Sequence, residues 1–434
     1  MVAQKLPPEP KALRVAIIGG GPAGLGAAIA LSALPNVQVD IYEKAQVLRE
    51  VGAGIRIGYN GWKVLELLGA ADKITGHLKN SVTHRNGLNG NVVGGTGESS
   101  FPLQYQPRRV RRTRLQSGLV STVPEGVIHL NKGVASIEDI FNGGVKVNFQ
   151  DGTYTTVDLV VGADGIRSVV RDSIFPDHTI KFTGTTIWRT LIPITSVKDI
   201  GPEVYAGTSW WFGTAGHVYF SPVDDKNELG EEERQFEISC RNLVDPATDT
   251  TKRFSWGVPA TNERVVSHFT DYDPRVREAL SRVPEGNWKE FAAFAGPRLE
   301  TLHGWDKVVL LGDASHPLSG AFGSGAAFAL EDGWVLARAI EHTRGAPKGL
   351  AKALQVFDAI RSPYYLRMYE YLDGQKDKTQ SAQQSSEDQS FEAKLKIRVS
   401  SFGGEKFLPW IYHNDIEKVW DEYLIGETST NGVH

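Results

Sequence analysis

Cysteine is almost missing: the 434 residues contain one, Cys240. A single thiol excludes an internal disulfide framework and fits a reducing compartment. His and Cys nowhere recur at the spacing of zinc ligands, so no metal is expected. No apolar run approaches the ~20 residues that a spanning helix needs. The first stretch, Met1 to Leu13, carries Lys, Glu and three prolines rather than the apolar segment of a signal peptide, and reads as a disordered leader. A net charge of −4 supplies no general attraction to nucleic acid or to an anionic membrane. The expected setting is cytoplasmic, with no nucleic-acid and no membrane partner. The length predicts two or three domains, and no internal repeat is visible.

What is present starts at Arg14. Val15 to Ile18 is a short apolar run of the kind that forms a buried parallel strand, and it enters Gly19-Gly20-Gly21-Pro22-Ala23-Gly24. This is G-x-G-x-x-G in its structural context. Gly19 allows the tight turn, Gly21 lets a pyrophosphate approach the backbone, and Gly24 lets the next helix pack close to the strand. The residues predict a helix over Leu25 to Leu34 and a second strand over Val37 to Tyr42, ending on Glu43, where an acid can bond a ribose hydroxyl. The unit predicts dinucleotide binding and leaves open which dinucleotide.

Further along, Glu50 to Ile55 is glycine-rich, and Gly52 and Gly54 would let the backbone lie against a flat ligand. A helix is expected over Trp62 to Leu68, capped by Asn60. Asn80 to Ser100 reads as a loop or loose hairpin and a first boundary. The basic cluster Arg108, Arg109, Arg111, Arg112 and Arg114 reads as a strand or turn with solvated guanidiniums, with an anion patch as the alternative. Val127 to Gln150 predicts a hairpin around Asn142-Gly143-Gly144. Leu159 to Val161 leads into Gly162-Ala163-Asp164-Gly165.

Aromatic and β-branched runs at Thr186 to Ile194, Ser209 to Phe212, His217 to Phe220 and Gln235 to Ser239 predict a second sheet. Asp224 to Arg234 reads as a solvated loop, and Arg275 to Phe294 as helical. Lys307 to Leu311 predicts another buried strand, followed by Gly312-Asp313-Ala314-Ser315-His316-Pro317 and a helix over Ala326 to Glu341. Gln375 to Gln389 has no core pattern and reads as a linker or mobile segment.

Three strand-ending motifs therefore recur in order: Gly19 to Gly24, Gly162 to Gly165, and Gly312 to Pro317. The pattern resembles the class A flavoprotein aromatic monooxygenases, the family of p-hydroxybenzoate hydroxylase, and more closely the salicylate hydroxylases. The resemblance runs from Val15 to about Asp358 and continues more weakly through Trp410, His413 and Asp415. It implies an α/β fold: a Rossmann-type, glutathione reductase-like FAD-binding domain with an inserted β-sheet substrate domain and a C-terminal helical segment. The FAD domain would comprise 1–78, 106–180 and 300–372, the substrate domain 79–105 and 181–299, and the C-terminal segment 373–434.

The resemblance also implies FAD as cofactor, NADH or NADPH as a transient co-substrate, and O2. Dioxygen would add at flavin C4a, and the hydroperoxide would pass an OH-equivalent to an electron-rich ring. Gly19, Gly21, Gly24, Glu43 and Lys44 would hold the adenosine and pyrophosphate, Gly54 and Ile55 would lie against the cofactor, and Arg112 would touch it. Asp164 would serve both FAD and the nicotinamide cofactor, Asp313 would bond the ribitol, and Gly325 and Ala326 would offer amides to the pyrimidine edge.

Arg189, beside Trp188, stands where salicylate hydroxylases carry an aromatic-Arg pair. It could bind a substrate carboxylate or phenolate or assist proton transfer, or be a surface arginine stacked on Trp188. His217 and Tyr219 share one strand face and are either catalytic or structural together. His316 orders the loop under the flavin or acts as a base. Trp211 is a pocket candidate. Ala321 and Phe322 replace a histidine and glutamine of the salicylate hydroxylases, which points away from salicylate and toward a bulkier or less charged aromatic.

Three functions follow. The first is hydroxylation of a small aromatic substrate, a phenol or aryl acid. The second is epoxidation or dearomatisation of a larger indole or resorcinol-type metabolite. The third is a flavin reductase or interaction protein without oxygenation. Monomer and homodimer are both open.

Overall fold

The computed structural model describes residues 12–48, 53–79, 81–141, 143–214, 216–243, 256–318, 322–384, 390–401 and 408–431. Most of the expected leader, Gly52, Asn142, Ala321 and the end of the Gln-rich segment lie outside them.

Leu13–Ile18 pairs in parallel with Val37–Tyr42 on one side and Leu159–Gly162 on the other. Val308–Leu310 then adds in parallel to Leu159–Gly162, and His303–Gly304 and Ile128–His129 complete a six-stranded sheet. Val15 to Ile18, Leu159 to Val161 and Val308 to Leu310 are buried, because the helices Pro22–Ser32 and Gly325–His342 and a three-stranded antiparallel sheet of Val134–Asp139, Val145–Phe149 and Tyr154–Val157 share their core. Ile18 is in register with Gly162, and Gly162 with Leu310. All three glycine motifs therefore leave one edge of one sheet.

Small residues set the helix packing behind that edge. In Pro22–Ser32 almost every side chain is buried and small, and a Cβ on Gly26 would lie 2.6 Å from Leu330 Cδ2. On the facing helix, Gly325–His342, a Cβ on Gly333 would lie 2.6 Å from Ala27 N. The two helices cross where neither has a side chain in the way.

The second sheet has eight strands, in the order Trp256–Pro259, Lys289–Ala295, Lys181–Pro193, Gln235–Leu243, Gly216–Pro222, Thr208–Phe212, Val82–Asn86 and Val92–Thr96. One face buries Trp188, Trp211, Phe220, Phe236 and Ile238 in a core with Val265 and Val276 from two short helices. Each of these large side chains contributes ~2–3 kcal/mol on burial, so this face anchors the sheet. The other face looks toward the first sheet.

Several expectations need correction. The helix after the glycine-rich segment is Tyr59–Leu67 with Gly58 at its N-cap, and Asn60 sits inside it, its amide donating to Glu331 at 3.3 Å. Of Arg275 to Phe294, only Pro274–Ser281 is helical; Pro284 and Gly286 (φ +85°) turn the chain, and Lys289–Ala295 is a strand. Gln375 to Gln384 is no linker but the end of the long helix Gly349–Gln384, since Gln, Lys and Ala favour helix without needing an apolar face.

Three of the five clustered arginines are paired rather than left to solvent. Arg109 pairs with Glu237, and Arg111 and Arg114 both reach Asp224, which is fully buried rather than part of a solvated loop. The acceptors lie more than a hundred residues away, Glu237 on a strand and Asp224 in the turn after Gly216–Pro222, which no local pattern reports. Among the described residues no helix is long and apolar enough to cross a membrane, and no group of His, Cys, Asp or Glu could hold a metal ion.

Candidate active site

The motif edge of the first sheet and the open face of the second enclose a cleft. Gly21, Gly165, Asp313, His316, Gly325 and Ala326 line one wall; Ile187, Arg189, Phe291 and Phe294 line the other; Gly54, Ile55, Arg109 and Arg112 lie between.

Two glycines of the first motif are held by packing and one by free space. Gly19 has φ +109°, and a Cβ there would lie 2.4 Å from Ala163 O; on Gly24 it would lie 1.9 Å from Gly19 O. A Cβ on Gly21 would meet no protein atom within 4 Å. Gly21 therefore keeps clear a space that the chain itself leaves unfilled, in front of the N-terminus of Pro22–Ser32. Glu43 is engaged locally, accepting from Gly20 N at 2.7 Å and from Ala45 N at 2.8 Å. Lys44 is exposed and does not line the cleft.

Asp164 is used by the fold. It accepts from Ser168 Oγ at 2.5 Å and from Val169 N at 2.7 Å, at the start of the helix Val169–Ile174, and burial pushes its pKa up against those hydrogen bonds. Asp313 opens onto the cleft within otherwise closed protein. Burial raises its pKa, and His316 and Arg112 oppose the shift. His316 is buried, with Nε2 3.0 Å from Asp332 Oδ2 and its ring stacked on Tyr365 at 3.7 Å. That carboxylate also accepts from Gly312 N, Arg361 Nε and Tyr365 Oη.

Strand alternation separates Trp188 from Arg189. Trp188 turns into the core, where Nε1 donates to Glu290 Oε2 at 2.8 Å and the ring stacks on His268, so Arg189 has no Trp188 face to rest on. Arg189 enters the cleft instead, with a buried Nε that finds no acceptor. Burial lowers its pKa to about 10; Glu237 opposes this, and Arg112 and Arg109 add to it.

The register Arg189↔Ser239↔Tyr219 puts Tyr219, and with it His217, on the Arg189 face, yet neither lines the cleft. Tyr219 lies under the Arg109 guanidinium, 4.9 Å from its ring centre, and burial raises its pKa. His217 packs edge-on against Trp210 at 4.7 Å, and burial, then Arg241 and Arg398, hold its pKa well below the usual value. Trp211 is on the opposite face, donating from Nε1 to Ser209 Oγ at 2.9 Å, and belongs to the core rather than the pocket.

Phe322 does line the cleft, and its carbonyl accepts from Tyr412 Oη at 3.0 Å. Sequence reading missed Arg109, Ile187, Phe291 and Glu237. Ile187 follows from period-two alternation with Arg189; the others depend on strand pairing.

No family profile matches the chain. It is 30% identical over 371 residues to a 6-methylsalicylate 1-monooxygenase of Aspergillus terreus, covering 80% of this chain and 78% of that protein. It is likewise 30% identical over 357 residues to a 3-amino-4-hydroxybenzoate 2-monooxygenase of Streptomyces cremeus, with 81% and 84% covered. Among solved structures, a salicylate hydroxylase substrate complex superposes with a TM-score of 0.74 at 23% identity, over 94% of this chain and 97% of that one, a likeness of fold.

The fold is thus the Rossmann-type α/β fold of the FAD-binding hydroxylases. With two relatives at this identity and coverage, the chain belongs to the FAD-dependent aromatic monooxygenases. It uses FAD, NADH or NADPH, and O2 to hydroxylate an aromatic substrate, and reductase or interaction-module alternatives are not favoured. The residues fit FAD: the space kept by Gly21 faces a helix N-terminus, the arrangement that receives a pyrophosphate.

Proposed function

We propose that the substrate is a phenol or aryl acid whose anionic oxygen docks on Arg189. The observation that carries this reading is the buried Arg189 Nε, which has no acceptor and belongs to a side chain lining the cleft. Both named relatives are monooxygenases of phenolic carboxylic acids, which supports an anionic ring substrate. A cytoplasmic setting suits the need for a nicotinamide reductant.

Held in the cleft, FAD would supply hydride acceptance from NADH or NADPH and activation of dioxygen. The chain's own residues then do four things. Gly19 and Gly24 shape the turn, and Gly21 leaves the N-terminus of Pro22–Ser32 open to the pyrophosphate; Glu43 would face the adenosine ribose, and Arg112 would touch the cofactor. Asp313 accepts from the ribitol hydroxyls, and the N-terminus of Gly325–His342 offers the amides of Gly325 and Ala326 to the pyrimidine edge, where its dipole favours negative charge. Ile187, Phe291, Phe294 and Phe322 wall the ring and exclude water. Arg189 favours the ionised form of a phenol, and a phenolate ring is the more electron-rich target.

A second reading has one observation in its favour. Phe322 puts apolar surface where the salicylate hydroxylases have polar side chains, which suits a larger indole or resorcinol-type ring. The test is the flavin spectrum of the purified protein, then NADH and NADPH oxidation against phenols, aryl acids and indoles with mass analysis. Gain of one oxygen on phenols or aryl acids is expected. Product from neutral bicyclic rings alone would replace the first reading by the second.

A further inference from the structure

Glu237 is fully buried on the strand Gln235–Leu243, and none of the roles above uses it. Cross-strand register sets it opposite Leu191 and Ser221, on the face that carries Arg189 and Tyr219. Its Oε2 accepts from Arg109 Nε at 2.6 Å and lies 2.5 Å from Nη2. Arg109 comes from the strand Arg108–Arg111, which pairs with Gly54–Ile57, so the ion pair ties the second sheet to the cleft wall.

The fit is close. A Cβ on Gly54 would lie 2.3 Å from Glu237 Oε2 and 2.6 Å from Arg109 Nε. Glu237 Oε1 is buried with no hydrogen-bond partner. An ion pair that leaves a carboxylate oxygen unsatisfied is a poor device for net stability, because desolvation offsets most of the attraction. What it does fix is the direction of one guanidinium.

Direction matters because Arg109, Arg112 and Arg189 all line the same cleft. An entering anion would otherwise meet competing donors and dock in more than one pose. We propose that Glu237 is a positioning residue: by occupying Arg109, it leaves Arg189 as the guanidinium on which the substrate anion docks, so that one ring edge faces the oxygen-transfer site. This rests on the Arg189 docking proposed above.

The test titrates the FAD-loaded enzyme with benzoate, following the flavin visible band, and measures product per NAD(P)H on the best substrate found. Glu237→Gln frees Arg109 and removes a negative charge, so benzoate should bind about three- to tenfold tighter while product yield falls at least about twofold. A merely structural role would weaken binding and lower the melting temperature together. The double variant Glu237→Gln/Arg109→Met should return both readouts to within about twofold of wild type, since an apolar replacement of a buried pair is tolerated.

The double variant leaves no charge stranded, so it stands as a test even if Glu237→Gln alone does not retain FAD. Benzoate binding lost in the double variant as completely as in Arg189→Ala would mean that Arg109 itself holds the anion, and would overturn the proposal. Unchanged or weaker binding in a folded Glu237→Gln, with loss in Arg189→Ala, overturns this inference alone. Wild-type binding in Arg189→Ala overturns the docking reading and this inference with it.

Discussion

His316 Nε2 stands 3.0 Å from Asp332 Oδ2, and through that contact a helix residue holds the loop that lines the cleft. The same carboxylate receives Gly312 N at 2.9 Å, so the start and end of the Gly312 to His316 turn are tied to one acceptor. Burial works to raise the Asp332 pKa, but Arg361 and His316 overcome it and hold the group well below the usual carboxylate range.

Asp332→Asn should therefore release the turn and strand Arg361. Glu331 Oε2 lies 3.1 Å from Arg361 Nη2 and can compensate in part. Breaking a buried pair costs about 3–5 kcal/mol, so a lower melting temperature and loss of FAD on gel filtration are expected. A variant that melts like the wild type and keeps its flavin would show that the turn holds without Asp332.

Gly21 and Gly24 should fail differently. Gly24→Ala drives a Cβ onto a backbone carbonyl, and the apoprotein itself should be destabilised. Gly21→Val meets no protein atom near its Cβ, so the apoprotein should fold with a near-native melting curve yet bind FAD at least about a hundredfold more weakly, the space for the pyrophosphate being taken. Melting of the two apoproteins and titration with FAD separate the cases.

Glu331 makes stability depend on pH. It is fully buried, and burial pushes its pKa up to about 7, with Arg361 and the amides of Asn414 and Asn60 opposing and Asp332 reinforcing. The folded protein then holds a proton that the unfolded chain releases near pH 4.3, and stability falls as pH rises from there through about 7. Glu331→Gln should match the wild type near pH 4 and exceed it by about 2–4 kcal/mol near pH 8. Parallel denaturation curves at both pH values would remove Glu331 as the cause.

Arg189→Ala should uncouple the reaction. A hydrogen bond to a charged group contributes about 1.5–3 kcal/mol, so kcat/KM should fall about 10- to 150-fold, with NAD(P)H still oxidised and peroxide released in place of product. Peroxide assay alongside product mass checks this. Undiminished product yield would take Arg189 out of the substrate site.

Local patterns carried the cofactor half of the molecule. A strand, its glycine turn and the next helix are contiguous, so Val15 to Leu34 could be read from spacing alone, and so could the strands leading to Asp164 and Asp313. Alternation likewise separated Arg189 from Trp188 once the strand was known. The reading went wrong where local composition was ambiguous: Gln375 to Gln384 is polar enough for a linker and equally good for a helix, and Trp211 is an aromatic on a strand whose two faces have opposite fates.

The sequence by itself determined the dinucleotide-type βαβ unit, the strands that end on the three motifs and the aromatic-rich strands of a second sheet, because each of these pieces is a contiguous run of residues. Only the tertiary structure decided which guanidinium is free. Arg109 and Glu237 are 128 positions apart, as Arg111 and Asp224 are 113 apart, and the docking of the strand Arg108–Arg111 against the eight-stranded sheet and the turn after Gly216–Pro222 brings acceptor to donor in both. A charge is solvated or paired according to what folds against it, and that partner has no fixed distance along the chain.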